Sequence, residues 1–485
     1  MPPMPKPRTR RALLICLPCL AVAAAPRPAG AQFVEPDVEV LHLFEGDQVG
    51  DAFGWVAADL GDLDGDGVHD VAIPAISRNG SAGRVSVYSG ADGALLHQID
   101  GQPGEVRGYC VESAGDVDGD GVPDYIVGGG RVEVYSGADH TLLLDLTATT
   151  GFASAVRGGG DLDGDGLGDL LVGRQGASLS FPAAGRVFAL SGADGSLLWA
   201  RDGDAASWLL GSALGALGDV SGDGVPDLVA GAFGAGPAHG GEAYLLDGTD
   251  GSTLRVLAPI DPAGALFFGQ FFASGAGDVD RDGVSDAFVA DYGAAQGTGE
   301  ATIYSGRTGR VLRHFAGFHP GDGLGPGRGI ADVNGDRIAD VIVAAYTSSD
   351  GAPAAGKAYV FSGRSGALLR TFTDERAGDN FGVDALALGD TDGDGLTDFL
   401  VTAAGRSFAG LEAGRAYLLA GTVLPCRSDL DGDRRVGAFD LARLIDLVIH
   451  RGSGGDLDGD ERADLADIAV LLRDLGRCPS GRPSR

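Results

Sequence analysis

A nine-residue acidic loop occurs seven times along the chain: DLDGDGVHD from Asp62, DVDGDGVPD from Asp116, DLDGDGLGD from Asp161, DVSGDGVPD from Asp219, DVDRDGVSD from Asp278, DVNGDRIAD from Asp332 and DTDGDGLTD from Asp390. Successive loops start roughly 45 to 59 residues apart, which is too long for a packed calcium-repeat array and fits one four-stranded antiparallel unit per loop. Oxygens at positions 1, 3, 5 and 9 can converge on one hard cation, with a backbone carbonyl near position 7 and glycine at position 6 for the sharp turn. Those positions hold Asp62, Asp64, Asp66 and Asp70; Asp116, Asp118, Asp120 and Asp124; Asp161, Asp163, Asp165 and Asp169; Asp219, Ser221, Asp223 and Asp227; Asp278, Asp280, Asp282 and Asp286; Asp332, Asn334, Asp336 and Asp340; and Asp390, Asp392, Asp394 and Asp398. All-oxygen donor sets of this kind point to Ca2+.

Each loop is embedded in a larger repeat. A glycine-rich apolar stretch such as Phe53-Gly54-Trp55-Val56-Ala57 precedes it, and an apolar strand such as Val71-Ala72-Ile73 follows. Alternating segments with a tight turn come next: GRVSVYSGADGALL from Gly83, RVEVYSGADHTLL from Arg131, GRVFALSGADGSLL from Gly185, GEATIYSGRTGRVL from Gly299 and GKAYVFSGRSGALL from Gly356. Period-two alternation bounded by Gly and Asp reads as a hairpin. Each unit therefore holds four strands, A to D, with the acidic loop joining A to B.

The last unit, GRAYLLAG from Gly414, runs into TVLPC without a fourth strand. A spare strand stands at the other end, where residues 38 to 44 (VEVLHLF) resemble Leu95-Leu96-His97-Gln98-Ile99. If that segment completes the seventh unit, the ring closes and no long sheet edge stays exposed. The expected fold class is all-β, a seven-bladed β-propeller over residues 35–424.

These repeats resemble the FG-GAP repeats of integrin alpha-chain propellers, on the pairs Phe53-Gly54, Phe268-Gly269 and Phe381-Gly382, the acidic loops, and following strands such as Leu228-Val229-Ala230-Gly231-Ala232. The resemblance implies seven blades with calcium held in the A-to-B loops. The fourth loop departs with Ser221 at position 3, and the sixth with Asn334 there and Arg337 in place of glycine. A non-glycine residue at positive φ is unfavourable and a nearby cation opposes calcium, so the sixth site ranks weakest.

The formal charge of −32 excludes nucleic acid as a partner, since that requires a basic footprint. It also disfavours anionic membrane surfaces, and bound cations would relieve the self-repulsion. At the N-terminus, Lys6, Arg8, Arg10 and Arg11 precede an apolar run from Ala12 to Ala25, and Ala29-Gly30-Ala31 offers a small-residue cleavage site. Residues 1–31 thus read as a secretory signal peptide, the run being too short to span a membrane. The protein is expected to be secreted, extracellular or at the cell surface. Cys110, which aligns with Val56, reads as a core thiol.

Cys426 and Cys478 bracket a second module at 426–478, followed by a tail at 479–485 expected to be disordered. Within it lie Asp429, Asp431, Asp433 and Asp440, and then Asp456, Asp458, Asp460, Asp464 and Asp467, at the spacings of two twelve-residue EF-hand-type calcium loops. Helix-period segments follow, with Leu441, Leu444, Ile445 and Val448 after the first and Ile468, Leu471, Leu472 and Leu475 after the second. The pair resembles a small α-helical dockerin-like domain, which implies calcium binding and docking onto a cohesin-like partner. Arg434 and Glu461 replace glycine, and Ala438-Phe439 and Leu465-Ala466 replace the Ser-Thr pairs of cellulosomal dockerins. A bond between Cys426 and Cys478 would staple the ends of the module in an oxidising compartment.

No HExxH motif, G-x-S-x-G elbow or phosphate-binding loop occurs, so no catalytic residue is expected. Recognition is expected on the variable B-to-C and D-to-A connections, which carry Phe181, Trp208, Phe267, Phe318, His319 and Phe408, with packing between blades the alternative role for the aromatic residues. The composite reading is a calcium-binding adhesion or interaction protein with an extracellular protein partner. The alternative is a polysaccharide-binding lectin or a component acting on polysaccharide.

Overall fold

The computed structural model describes residues 33–408, 410–422 and 438–450, together with Ile468 and Leu471. The signal segment, Cys426, Cys478, the tail 479–485 and all the expected EF-hand-type ligands except Asp440 lie outside these residues. Asp440 stands on the helix Ala438–His450, in which Leu444 is buried, as is Leu471 further on.

Residues 33–422 form seven four-stranded antiparallel sheets. In the first blade the order is Ala58–Gly61, Asp70–Pro74, Arg84–Tyr88 and Leu95–Asp100, each strand pairing with the next. Strand A of every blade touches strand A of both neighbours, the first against the seventh included, so the ring is closed and the A strands line its axis. Strand B is buried almost throughout, as in Asp70–Pro74, with Arg174 at the end of the third blade's strand exposed, whereas the outermost strand D buries one face only. The apolar residues segregate into seven clusters, one at each blade–blade interface. Side-chain interdigitation between blades, rather than one central core, holds the ring together.

Ring closure follows the expected route. Val40–Glu45 pairs antiparallel with Arg415–Leu419, completing the sheet of Phe381–Gly389, Asp398–Ala403 and Arg415–Leu419. Its burial pattern is identical to that of the D strands Leu95–Asp100 and Val311–Ala316. Of its apolar residues, Phe44 is buried and Leu41 packs against the interface of blades seven and one, while Val40 and Leu43 face solvent on the outer edge. The chain reaches further than the pattern indicated. Phe33 is 4% exposed and stacks edge-on against Phe381 and Tyr417 at 5.3 and 5.6 Å. The Glu35 carboxylate accepts from the Thr371 hydroxyl, the Thr373 amide and the Thr373 hydroxyl at 2.7, 2.7 and 2.8 Å. The N-terminal segment thereby fastens blade six as well as blade seven.

The phenylalanine-glycine pairs have a packing reason. Phe53, Phe268 and Phe381 fill the wedge between blades, and the glycine after each turns the chain into strand A at positive φ. At Gly382 (φ 93°) a Cβ would lie 2.4 Å from that of Ala344 in the preceding blade, so the close approach admits no side chain.

Candidate metal sites and a channel pocket

In the first loop, Asp62 at position 1 accepts backbone N–H groups from Gly65, Asp66 and Gly67 at 2.7, 3.1 and 2.9 Å, which folds the loop around its carboxylate. Gly67 has φ 90°, and its counterpart Arg337 in the sixth loop is forced to φ 67°. Position 4 imposes the same demand, since Arg281 in the fifth loop sits at φ 63° where other loops have glycine.

Five loops bring three carboxylates together, with donor oxygens within 4.8 Å of one another: Asp62, Asp64 and Asp66; Asp116, Asp118 and Asp124; Asp161, Asp163 and Asp169; Asp278, Asp280 and Asp282; and Asp390, Asp392 and Asp398. Oxygens at about 2.3–2.6 Å from one calcium ion lie at most about 5 Å apart, so these sets fit the ion. In the fourth loop the Ser221 hydroxyl instead donates to Asp219 at 3.3 Å, and in the sixth the Asn334 amide donates to Asp340 at 3.3 Å. Neither of these two loops gathers three carboxylates.

Position 9 has a second employment that the spacing did not disclose. Asp70 is fully buried and accepts from the Leu63 amide at 2.8 Å and the Gly90 amide at 3.2 Å, tying the acidic loop to the C-to-D turn of the same blade. The arrangement recurs in all seven blades, as with Asp340 accepting from Val333 and Gly363 at 2.9 and 3.1 Å and Asp398 from Thr391 and Gly421 at 2.7 and 2.6 Å. Burial pushes Asp70, Asp124 and Asp286 up to about 6 and Asp340 up to about 7, against the opposing pull of the amides. A cation in the loop would reverse that shift.

The acidic loops and C-to-D turns thus share one face. The B-to-C and D-to-A connections meet on the other, as where the Arg107 amide donates to Ala82 at 3.0 Å. On this second face the ring axis opens into a cavity of about 270 Å³, to which strand A or its lead-in contributes from every blade. Trp55, Tyr109, Phe271, Tyr292 and Tyr346 form its wall, all half-buried. Trp55 lies 5.9 Å from both Tyr109 and Phe271, and Tyr292 lies 6.2 Å from Tyr346. At the base, one Arg328 nitrogen donates to both oxygens of Asp384 at 2.7 and 2.8 Å while the other reaches Glu112 at 3.4 Å. Glu112 also accepts from Arg157 at 2.7 Å. Two guanidinium groups and two carboxylates drawn from blades two, three, six and seven therefore plug the axis with no net charge.

Of the aromatic residues expected on this face, Trp208 stacks on Tyr244 at 5.7 Å and Phe267 on Tyr292 at 5.0 Å, so both serve packing. Phe181 and Phe318 remain exposed, at 46% and 59%, as does the His319 side chain; the Phe408 side chain lies outside the described residues. The pocket wall went unrecognised. Its signal was the residue after the repeat glycine: Trp55 follows Gly54 and Tyr109 follows Gly108, and both glycines have φ near 80°. Cys110 borders the same cavity, and desolvation pushes its thiol far up.

Residues 382–419 match the FG-GAP repeat. That stretch is the seventh blade from the FG glycine to the end of its C strand, and it contains the Asp390 loop. Comparison with curated proteins returned no match. No helix among the described residues is long and apolar enough to cross a membrane.

Proposed function

We propose that the chain is a secreted recognition protein whose propeller is stabilised by calcium on one face and binds its partner with the other. The segregation of the two faces carries the reading. Exposed large apolar residues such as Val49, Phe152, Phe181, Leu266, Phe318 and Leu411 all lie in B-to-C or D-to-A connections. Among the described residues, no acidic loop and no C-to-D turn exposes one. The outer D strands expose others singly, among them Leu95, Leu142, Leu197, Val256 and Val311, and scattered apolar side chains are ordinary; those of the second face surround a pocket, which favours that face as the interaction surface. In this reading the propeller binds without catalysing, and the dockerin-like module at 426–478 holds it to a cohesin-type partner through its own calcium loops.

The test uses the mature full-length protein against envelope proteins and polysaccharides of the producing cell, with and without calcium. Phe318→Asp and Leu266→Asp should each weaken capture at least tenfold while leaving the melting temperature within about 2 °C, since exposed substitutions perturb stability little. Capture untouched by both changes would overturn the assignment of the face.

A further inference from the structure

We infer that the axial pocket takes the ring of an uncharged sugar, an assignment that rests on the recognition-face reading and names a ligand class for its centre. The wall supplies aromatic faces on several sides, suited to a flat ring with apolar C–H surfaces. Its polar groups are few and convergent, as in small-molecule sites generally. The hydroxyls of Tyr109 and Tyr346 make no hydrogen bond among the described residues, although both rings border the cavity. Arg328 holds Glu112 only at 3.4 Å, which leaves donor capacity at the base. A ligand with apolar faces and a hydroxylated edge satisfies both sets of groups; a purely apolar one leaves the phenols without partners.

Net charge decides against an anion, and the pairing of the acids leaves a cation without a counter-ion at the base. Both carboxylates at the base are committed, Asp384 to Arg328 and to the Ala57 and Ala385 amides at 3.1 and 2.8 Å, and Glu112 to Arg157. A cation entering the pocket would therefore find no unpaired acid, and an anion would meet no unpaired arginine on a chain of net charge −32. The cavity of about 270 Å³ falls near the lower bound for small-molecule sites, which admits one or two rings rather than a long oligosaccharide.

Trp55 provides the readout, because Trp199 is buried between blades and Trp208 is stacked on Tyr244. The full-length protein would be titrated with methyl glycosides of neutral hexoses and pentoses, with glucuronate, with choline and with N-acetyltyrosinamide, following tryptophan emission. At least one neutral glycoside should give a saturable change that Trp55→Phe abolishes and that Tyr109→Phe weakens roughly threefold to tenfold, the usual worth of one hydrogen bond. Tyr109→Phe removes a single oxygen, so an unchanged melting curve separates lost binding from lost folding. Saturation by glucuronate, choline or the tyrosine amide alone would overturn the inference, as would silence from every probe. Partner capture that Phe318→Asp abolishes, together with silence from every glycoside, would overturn the sugar assignment while sparing the recognition face.

Discussion

Arg328 lays one guanidinium nitrogen against both carboxylate oxygens of Asp384, at 2.7 and 2.8 Å, at the base of the axial pocket. Asp384 is only 2% exposed, and removing one member of a buried pair strands the other's charge. Asp384→Ala should cost about 3–5 kcal/mol by denaturant unfolding. Combining Asp384→Leu with Arg328→Met should recover most of that, because it removes both desolvated charges. A double variant as unstable as the single would show that the channel needs the charges themselves.

Closure of the ring predicts the behaviour of truncations. A chain beginning at Asp47 loses the Phe44 and Leu41 contacts, each worth about 1.5–3 kcal/mol when fully buried, and exposes the edge of Arg415–Leu419. It should aggregate on expression. A chain beginning at Glu35 keeps the strand but lacks Phe33, and should fold with a lower melting temperature than one beginning at Gln32. Size-exclusion chromatography and thermal melting separate the three; equal melting temperatures for the two longer chains would deny Phe33 its role.

The two kinds of loop aspartate should respond differently to chelation. With site dissociation constants near 0.1–1 mM, about 10 mM calcium stabilises each occupied site by about 1.4–2.7 kcal/mol. Asp64→Ala should lose that increment in calcium and almost nothing in chelator, while Asn334→Ala should lose little in either. Asp70→Ala orphans the Leu63 and Gly90 amides, at about 1–3 kcal/mol each, and its loss should persist after chelation. Melting curves with and without calcium distinguish these cases, and a calcium-dependent loss at Asp70 with none in chelator would deny its tie to the C-to-D turn.

Asp374 and Asp379 predict a pH effect of definite sign. Both are buried where blade six meets blade seven, and Asp374 Oδ2 has no hydrogen-bond partner. Burial, and then the facing Asp379 carboxylate, push the Asp374 carboxyl well above its ordinary range. A proton kept in the folded chain and shed in the unfolded one stabilises in full below about pH 4, and its contribution falls as pH rises. From about pH 5 to about pH 8, Asp374→Asn should become progressively more stable relative to the parent chain, by at most about 1.4 kcal/mol per pH unit. A constant difference across that range would mean that Asp374 is ionised throughout.

Blade number, strand order and the displaced closing strand were legible because each repeats a local pattern, and Val40–Glu45 copies Leu95–Asp100 down to its burial. That the fourth and sixth loops would gather fewer carboxylates was legible too, since Ser221 and Asn334 stand where the other loops have aspartate. The tie between Asp70 and Gly90 escaped notice because it joins two loops, and spacing within either gives no sign of the other. The pocket was hidden for a related reason: Trp55, Tyr109 and Phe271 stand far apart in sequence, and only closure of the ring brings them to one axis. Phe33 and Glu35 reach across to blade six by irregular backbone, which has no period to detect.

The strand made first pairs with the strand made last. Glu35 meets Thr373 across 338 residues, and Glu45 meets Arg415 further still. During synthesis the early blades can pair their own strands locally, but the first blade has no neighbour on one side and the leading segment has nothing to join. Contacts of such separation form late, because the loop-closure entropy must be overcome before they stabilise anything. Docking of the N-terminal segment onto a nearly finished ring is therefore expected late in folding, and a cut that releases it should leave the last blade unclosed long after the chain is made.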